Sequence, residues 1–239
     1  MKTALIVQGG WPGHRPQQVA EILAAQLKAN AFSVEVADSL ERLVTGAGGV
    51  DLLVLNWHGG TPMQEQLSAL LATRGTPAQE RAALLEAGDR LQWGTVTQPQ
   101  LAALLAAVKG GVGLAGMHAG MGDAFRNEVE YQFMIGGQWV AHPGDDGVSY
   151  EVRIVDRQHP ITAGVEDFTV VSEQYYMHID PAIHTLATTQ FGDLAMPVAW
   201  TTRYGAGNVF YSSLGHTPDI VRLPGALALM TQGMVWAAR

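Results

Sequence analysis

The sequence predicts an α/β fold: a doubly wound, mostly parallel sheet with extra strands in its C-terminal half. Three observations point there. Short continuous apolar runs, at residues 3–8 and 51–56 (DLLVLN), suit strands covered on both faces. A stretch with helical spacing separates the first two predicted strands, and this β-α-β order builds parallel sheets. Beyond residue 145 the pattern turns to alternation.

Taken in order, residues 3–8 form a strand, and Gly9 to Pro16 a loop. Residues 17–29 carry Val19, Ile22, Leu23 and Leu27 at helical spacing. Strands are predicted at 32–37 and 51–56. Residues 61–94 read as a helical excursion on the domain edge, broken at Gly75-Thr76-Pro77. A helix follows at 98–108 (QPQLAALLAAV), ended by Gly110-Gly111. Next come a strand at 112–115, the turn Gly116-Met117-His118-Ala119-Gly120, and a helix at 124–135 ended by Gly136-Gly137. Residues 149–156 alternate, with Tyr150, Val152 and Ile154 against Glu151 and Arg153. Short strands are predicted at 168–172, 185–189, 197–202 and 208–213, completing the sheet or extending it, and an apolar helix at 222–238 closes the chain. Neither a linker nor an internal repeat is evident, so 1–239 reads as a single domain.

Composition narrows the function. The hydrophobic fraction of 47% supports a large core. A net charge of −8, with 14 Lys+Arg and no basic run, argues against nucleic acid and anionic membrane partners. A small molecule of little charge fits better. Without cysteine there is no disulfide, thiolate ligand or Cys nucleophile. Ala4-Leu5-Ile6-Val7 is shorter than the roughly 7–15 apolar residues of a signal peptide. No run approaches the roughly 18 of a membrane span. A cytoplasmic location is expected.

The histidines carry the chemistry. Of eight, His14, His58, His118 and His216 each fall just beyond a predicted strand. Ligands of open parallel sheets bind at that edge, and imidazoles there suit acid–base work or metal binding. His118 sits at the centre of a G-x-x-x-G turn of the kind that presents a nucleophile between strand and helix. Ser172–His178 (SEQYYMH) places Glu173, Tyr175, Tyr176 and His178 together, a carboxylate with aromatic platforms that suit a sugar. His216 follows Gly215 and precedes Thr217-Pro218, so its turn could instead simply start a helix. His142 could line the same crevice. His14 and His58 sit beside Trp11 and Trp57 in Gly-flanked loops, as site or loop residues. Asp123 faces the site or caps a helix. His159 and His184 read as structural.

At these residues the chain resembles the ThuA-like (trehalose utilisation) family. The matching pieces are the early Gly-rich loop with His14, the His118 turn, Gly136-Gly137 followed by His142, and Asp156 with His159-Pro160-Ile161. SEQYYMH, Met196–Trp200 (MPVAW), Tyr204–Gly207 (YGAG), Val209–His216 (VFYSSLGH) and Met234-Val235-Trp236-Ala237 follow. The resemblance implies a flavodoxin-like fold of the class I glutamine amidotransferase type. It also implies a substrate among trehalose-related or keto-glycoside sugars. Cys-dependent glutaminase chemistry is excluded, since His118 stands at the turn. The excursion at 61–94 is longer than the family pattern and would serve as a lid or a homo-oligomer contact.

Three functions follow. The first is an enzyme in which His118 and Glu173 shuttle protons on a sugar while His216 polarises an oxygen. His14, His58, Asp123, His142, Tyr175, Tyr176 and His178 would then bind substrate. The second is a hydrolase or isomerase using zinc or another divalent metal. Three histidines and a glutamate are good ligands, although no compact H-x-x-x-H spacing supports it. The third is a non-catalytic sugar-binding or regulatory module.

Overall fold

A computed structural model describes residues 1–58, 97–126 and 128–238. The predicted excursion at 61–94 lies outside them. The other elements form a nine-stranded sheet in the order β2-β1-β3-β4-β11-β10-β9-β6-β7. The strands are β1 (Lys2–Gly10), β2 (Phe32–Ala37), β3 (Leu52–His58), β4 (Gly113–Met117), β6 (Val148–Ile154), β7 (Phe168–Ser172), β9 (His184–Phe191), β10 (Leu194–Tyr204) and β11 (Gly207–Ser212). β2, β1, β3, β4 and β11 pair in parallel. β10, β9, β6 and β7 continue the sheet in antiparallel register. The C-terminal strands therefore complete the sheet. β5 (Gly137–Ala141) and β8 (Tyr176–Ile179) form a separate antiparallel pair.

The central parallel strands β1, β3, β4 and β11 are closed to water because helices cover both faces, while the edge strand β2 is partly exposed. α1 (Pro16–Ala29), α6 (Pro218–Arg222) and α7 (Pro224–Ala237) pack one apolar layer, with Leu23, Leu27, Val221, Leu229 and Met234 buried against Ala4, Ile6 and Val54. On the other face lie α2 (Glu41–Gly46), α3 (Gln98–Lys109), α4 (His118–Gly122) and α5 (Val129–Ile135). Here Leu43, Leu104 and Ile135 pack with Leu5, Leu53 and Trp200. Successive strand residues point to opposite faces, so Leu5 and Ile6 serve different layers. No helix among the described residues is long and apolar enough to cross a membrane.

Two predicted helices are shorter than expected. The one predicted at 124–135 begins at Val129. The closing one is split because Leu223 is extended (φ −57°, ψ 130°) ahead of Pro224, as residues before proline are. Pro224 then opens α7 from the first turn.

Candidate functional site

Four neighbouring parallel strands end at the same edge, and each delivers a histidine. His58 is the last residue of β3, His14 follows β1, His118 follows β4, and His216 follows β11. His118 occupies the predicted turn. Met117 is extended, His118 is left-handed at φ 48°, and α4 begins there. The flanking glycines leave room for it. A Cβ on Gly116 would lie 2.5 Å from Met121 Cβ and 2.8 Å from the Leu55 carbonyl, and one on Gly120 3.1 Å from His58 Nε2. A non-glycine residue in the left-handed region carries a strain of about 1–2 kcal/mol. His118→Gly is therefore expected to be more stable than His118→Ala by about 1 kcal/mol in urea denaturation, since both lose the imidazole and only glycine relieves the turn. Equal stabilities would contradict a strained turn.

Hydrogen bonds fix where the ring protons sit. His118 Nδ1 lies 3.0 Å from the Ser213 carbonyl. A carbonyl only accepts, so Nδ1 carries a proton. Nε2 of the same ring lies 3.1 Å from Glu173 Oε2. Two lone pairs would repel at that distance, so a further proton belongs to this pair. Burial pushes the Glu173 carboxyl up, but the hydrogen bond from His118 and the imidazoles of His118, His216 and His142 outweigh it and hold it below its ordinary value. Glu173 therefore faces the His118 ring as a carboxylate. Tyr175 stacks on the His118 ring with its hydroxyl 2.8 Å from Nε2. Burial, with Tyr211 and Glu173 nearby, raises its pKa well above the ordinary value, so it stays a neutral phenol.

A second chain runs beneath. Asn56 Nδ2 donates to the Pro16 carbonyl at 2.8 Å, which turns Oδ1 toward His58 Nε2, also at 2.8 Å. His58 Nε2 must then donate, leaving Nδ1 as acceptor. His14 Nδ1 sits 2.8 Å from it and donates, so His14 Nε2 keeps its lone pair. Burial, reinforced by the neighbouring imidazoles, drives His14 and His58 far below the usual histidine value. Both stay neutral when folded and protonate once unfolded, below about pH 6.5. The unfolded chain then binds more protons, so stability falls as pH drops through that value, by up to about 1.4 kcal/mol per pH unit for each ring. Denaturant titrations of chelator-treated protein on either side of that pH check this; a constant midpoint would contradict it.

The rings converge. His14 lies 4.9 Å from His118 and 5.0 Å from His216 between centroids, and His118 lies 5.2 Å from His216. Glu173 Oε1 is 3.5 Å from His216 Nε2 and 3.8 Å from His142 Nε2. Ligand atoms of His14, His118, Glu173 and His216 lie within 4.8 Å of one another, the only such metal-capable group among the described residues. His118 is 1% exposed, Glu173 11%, His216 14% and His142 24%. The solvent-facing side of the cluster is therefore formed by the last three, with His118 and His14 as the floor.

The other predicted residues fall elsewhere. His58 is buried behind His14, where its hydrogen bond orients that ring. Asp123 is buried and ion-paired to Arg126 at 2.8 Å, with Arg126 stacked over Trp139. Strand alternation in β8 turns Tyr176 and His178 away from Tyr175. Tyr176 packs on Phe191, and His178 lines an open groove with Val129 and Phe133. Asn56 and the Ser213 carbonyl were not foreseen. Asn56 left one signal, as the first polar residue after the apolar run Leu52–Leu55, two positions before His58 on the same strand face.

Similarity to known proteins agrees with this architecture. A putative ThuA-like protein from Parabacteroides merdae superposes with a TM-score of 0.66 at 18% identity, covering 99% of this chain and 89% of that one. A cytoplasmic protein from Salmonella typhimurium LT2 superposes with a TM-score of 0.64 at 12% identity, over the whole of both chains. The β-galactosidase of Bacillus circulans sp. alkalophilus matches at a TM-score of 0.56 and 10% identity, over 99% of this chain and 30% of the enzyme. At these identities the likeness is one of fold. No curated protein matches the chain. Residues 80–237, which include His118, Glu173 and His216, match the ThuA family, described as trehalose utilisation. The chain belongs to the ThuA (trehalose utilisation) family.

Proposed function

We propose that the chain is an enzyme that moves a proton on a trehalose-related or keto-glycoside sugar, with Glu173 and His118 as its acid–base pair. The observation that carries this reading is the 3.1 Å contact between His118 Nε2 and Glu173 Oε2 at the floor of an edge open to solvent. Glu173 is the base. It is a carboxylate with one oxygen toward His118 and the other toward His216 and His142. His118 holds the counter-proton, its ring locked by the Ser213 carbonyl. His216 stands where it can polarise a substrate oxygen. Burial and the neighbouring His118 lower its pKa, so near neutral pH it acts by hydrogen bonding without a full charge.

Proton removal beside a carbonyl needs such a pair: a base within reach of the C–H, and a donor for the oxygen that becomes an enolate. Oxidised sugars supply that carbonyl; intact trehalose does not. Family membership supports the sugar class, and the dyad supports the proton transfer. A product screen by mass spectrometry tests the reading on oxidised and unoxidised disaccharides. Conversion of an oxidised disaccharide by the wild type, absent in His118→Ala, is expected. Unchanged conversion in that variant would remove His118 from the mechanism.

A further inference from the structure

We propose that His14, His118, His216 and Glu173 form a divalent-metal centre of the catalytic type, with Asn56 and His58 setting the donor state of His14. This deepens the acid–base reading above and rests on it only for the metal's role in turnover: with the ion bound, His118 would be a ligand holding no proton at Nε2, and the ion would polarise the substrate oxygen in its place. His118 Nδ1 donates to a carbonyl, so Nε2 is the lone-pair nitrogen of the neutral ring. His14 Nδ1 is spent on His58, so Nε2 is its donor, held ready by a chain ending at the Pro16 carbonyl. Metal-binding histidines commonly donate the other ring N–H to just such a partner.

Distances fit as well. Zinc–nitrogen bonds of about 2.0–2.1 Å in a tetrahedron place ligand atoms about 3.3–3.4 Å apart. His118 Nε2 lies 3.1 Å from one Glu173 oxygen and His216 Nε2 lies 3.5 Å from the other, so the carboxylate sits between the two rings at near-ligand spacing. The four donors lie within 4.8 Å of one another, so small side-chain shifts close the set. The ring of Tyr175 lies nearly parallel to His118, at 26°, so its hydroxyl approaches Nε2 from the ring face and leaves the in-plane lone pair for a cation.

The donor set selects the ion. Three imidazoles and one carboxylate suit zinc, cobalt or nickel and suit magnesium or calcium poorly. Four protein ligands fill a tetrahedron, so water or a sugar oxygen would enter as a fifth ligand from the exposed side, at Glu173 and His216. The cation would take the place of the proton between His118 and Glu173, and the displaced proton would pass to solvent or buffer.

Titration of chelator-stripped protein with Co2+, followed by visible absorption, tests this. The expected result is a band saturating at one equivalent. His14→Ala and His216→Ala should lose it, with unchanged circular dichroism showing that they fold. His58→Ala should weaken binding by about 10–100-fold. His216, near the surface, guards against the buried His14 variant failing to fold. Less than about a tenth of an equivalent bound by the wild type, or binding unchanged in His216→Ala, would overturn the site, since removal of a true ligand must weaken binding. Stripped protein that binds no Co2+ yet converts sugar overturns the metal centre and leaves the acid–base reading. Protein that binds one equivalent but converts no sugar, stripped or loaded, supports the centre and counts against that reading.

Discussion

Glu173→Gln is expected to lower turnover of an oxidised disaccharide by about 10²–10⁴-fold, the range that a positioned acid–base group contributes. The substitution keeps the size of the side chain and its capacity to hydrogen-bond His118, but an amide cannot take up a proton at neutral pH. It should leave the fold intact. The backbone carbonyl of residue 173, which accepts the Tyr150 hydroxyl at 3.0 Å, is untouched. Only the side chain, facing His118, His142 and His216, changes. Initial rates for the variant check this, with circular dichroism as the control for folding. Wild-type turnover in the variant would remove Glu173 from the reaction.

Trp200→Ala is expected to cost about 3–5 kcal/mol of stability, the usual cost of truncating a large buried aromatic side chain. Trp200 lies in β10, wholly buried where the antiparallel strands join the parallel ones. Its Nε1 donates to the Ile135 carbonyl at 2.8 Å, and its ring lies 4.5 Å from that of Tyr211. The Tyr211 hydroxyl in turn donates to the His118 carbonyl at 3.0 Å. Truncation therefore opens a cavity, strands a buried carbonyl, and loosens the support of the turn that holds His118. Natural domains hold about 5–15 kcal/mol in total, so this variant approaches the limit. Trp200→Phe keeps most of the volume and loses the hydrogen bond, a smaller loss of about 1–3 kcal/mol. Urea denaturation of both variants checks the order. Equal and small losses would contradict the role given to the ring.

Much of this architecture was legible in the sequence because parallel strands buried on both faces write themselves as unbroken apolar runs. β1, β3, β4 and β11 were placed to within two residues, and the edge strand β2 (FSVEVA), which alternates, to the residue. The convergence of His14, His58, His118 and His216 followed from topology alone: residues just after parallel strands share an edge. β5 and β8 were not legible. Gly137–Ala141 (GQWVA) and Tyr176–Ile179 (YMHI) are short, and their pairing is a tertiary event that local pattern does not record. The same limit hid the alternation that buries Tyr175 and turns Tyr176 and His178 away. It also hid the division of labour among the histidines. His58 and His14 look alike in sequence, as Gly-flanked imidazoles beside a tryptophan. Only the hydrogen bonds from Pro16 through Asn56 make one the support and the other the floor of the site.

In the proposed reaction, Glu173 and His118 move a proton at a sugar carbon beside a carbonyl. Incubating an oxidised disaccharide with the protein in deuterium oxide measures this directly, with deuterium at that carbon followed by nuclear magnetic resonance. The account predicts incorporation by the wild type, at a rate no slower than product formation, and none above background with Glu173→Gln or His118→Ala. Equal incorporation by all three proteins, or product formed by the wild type with no deuterium at that carbon, would contradict it.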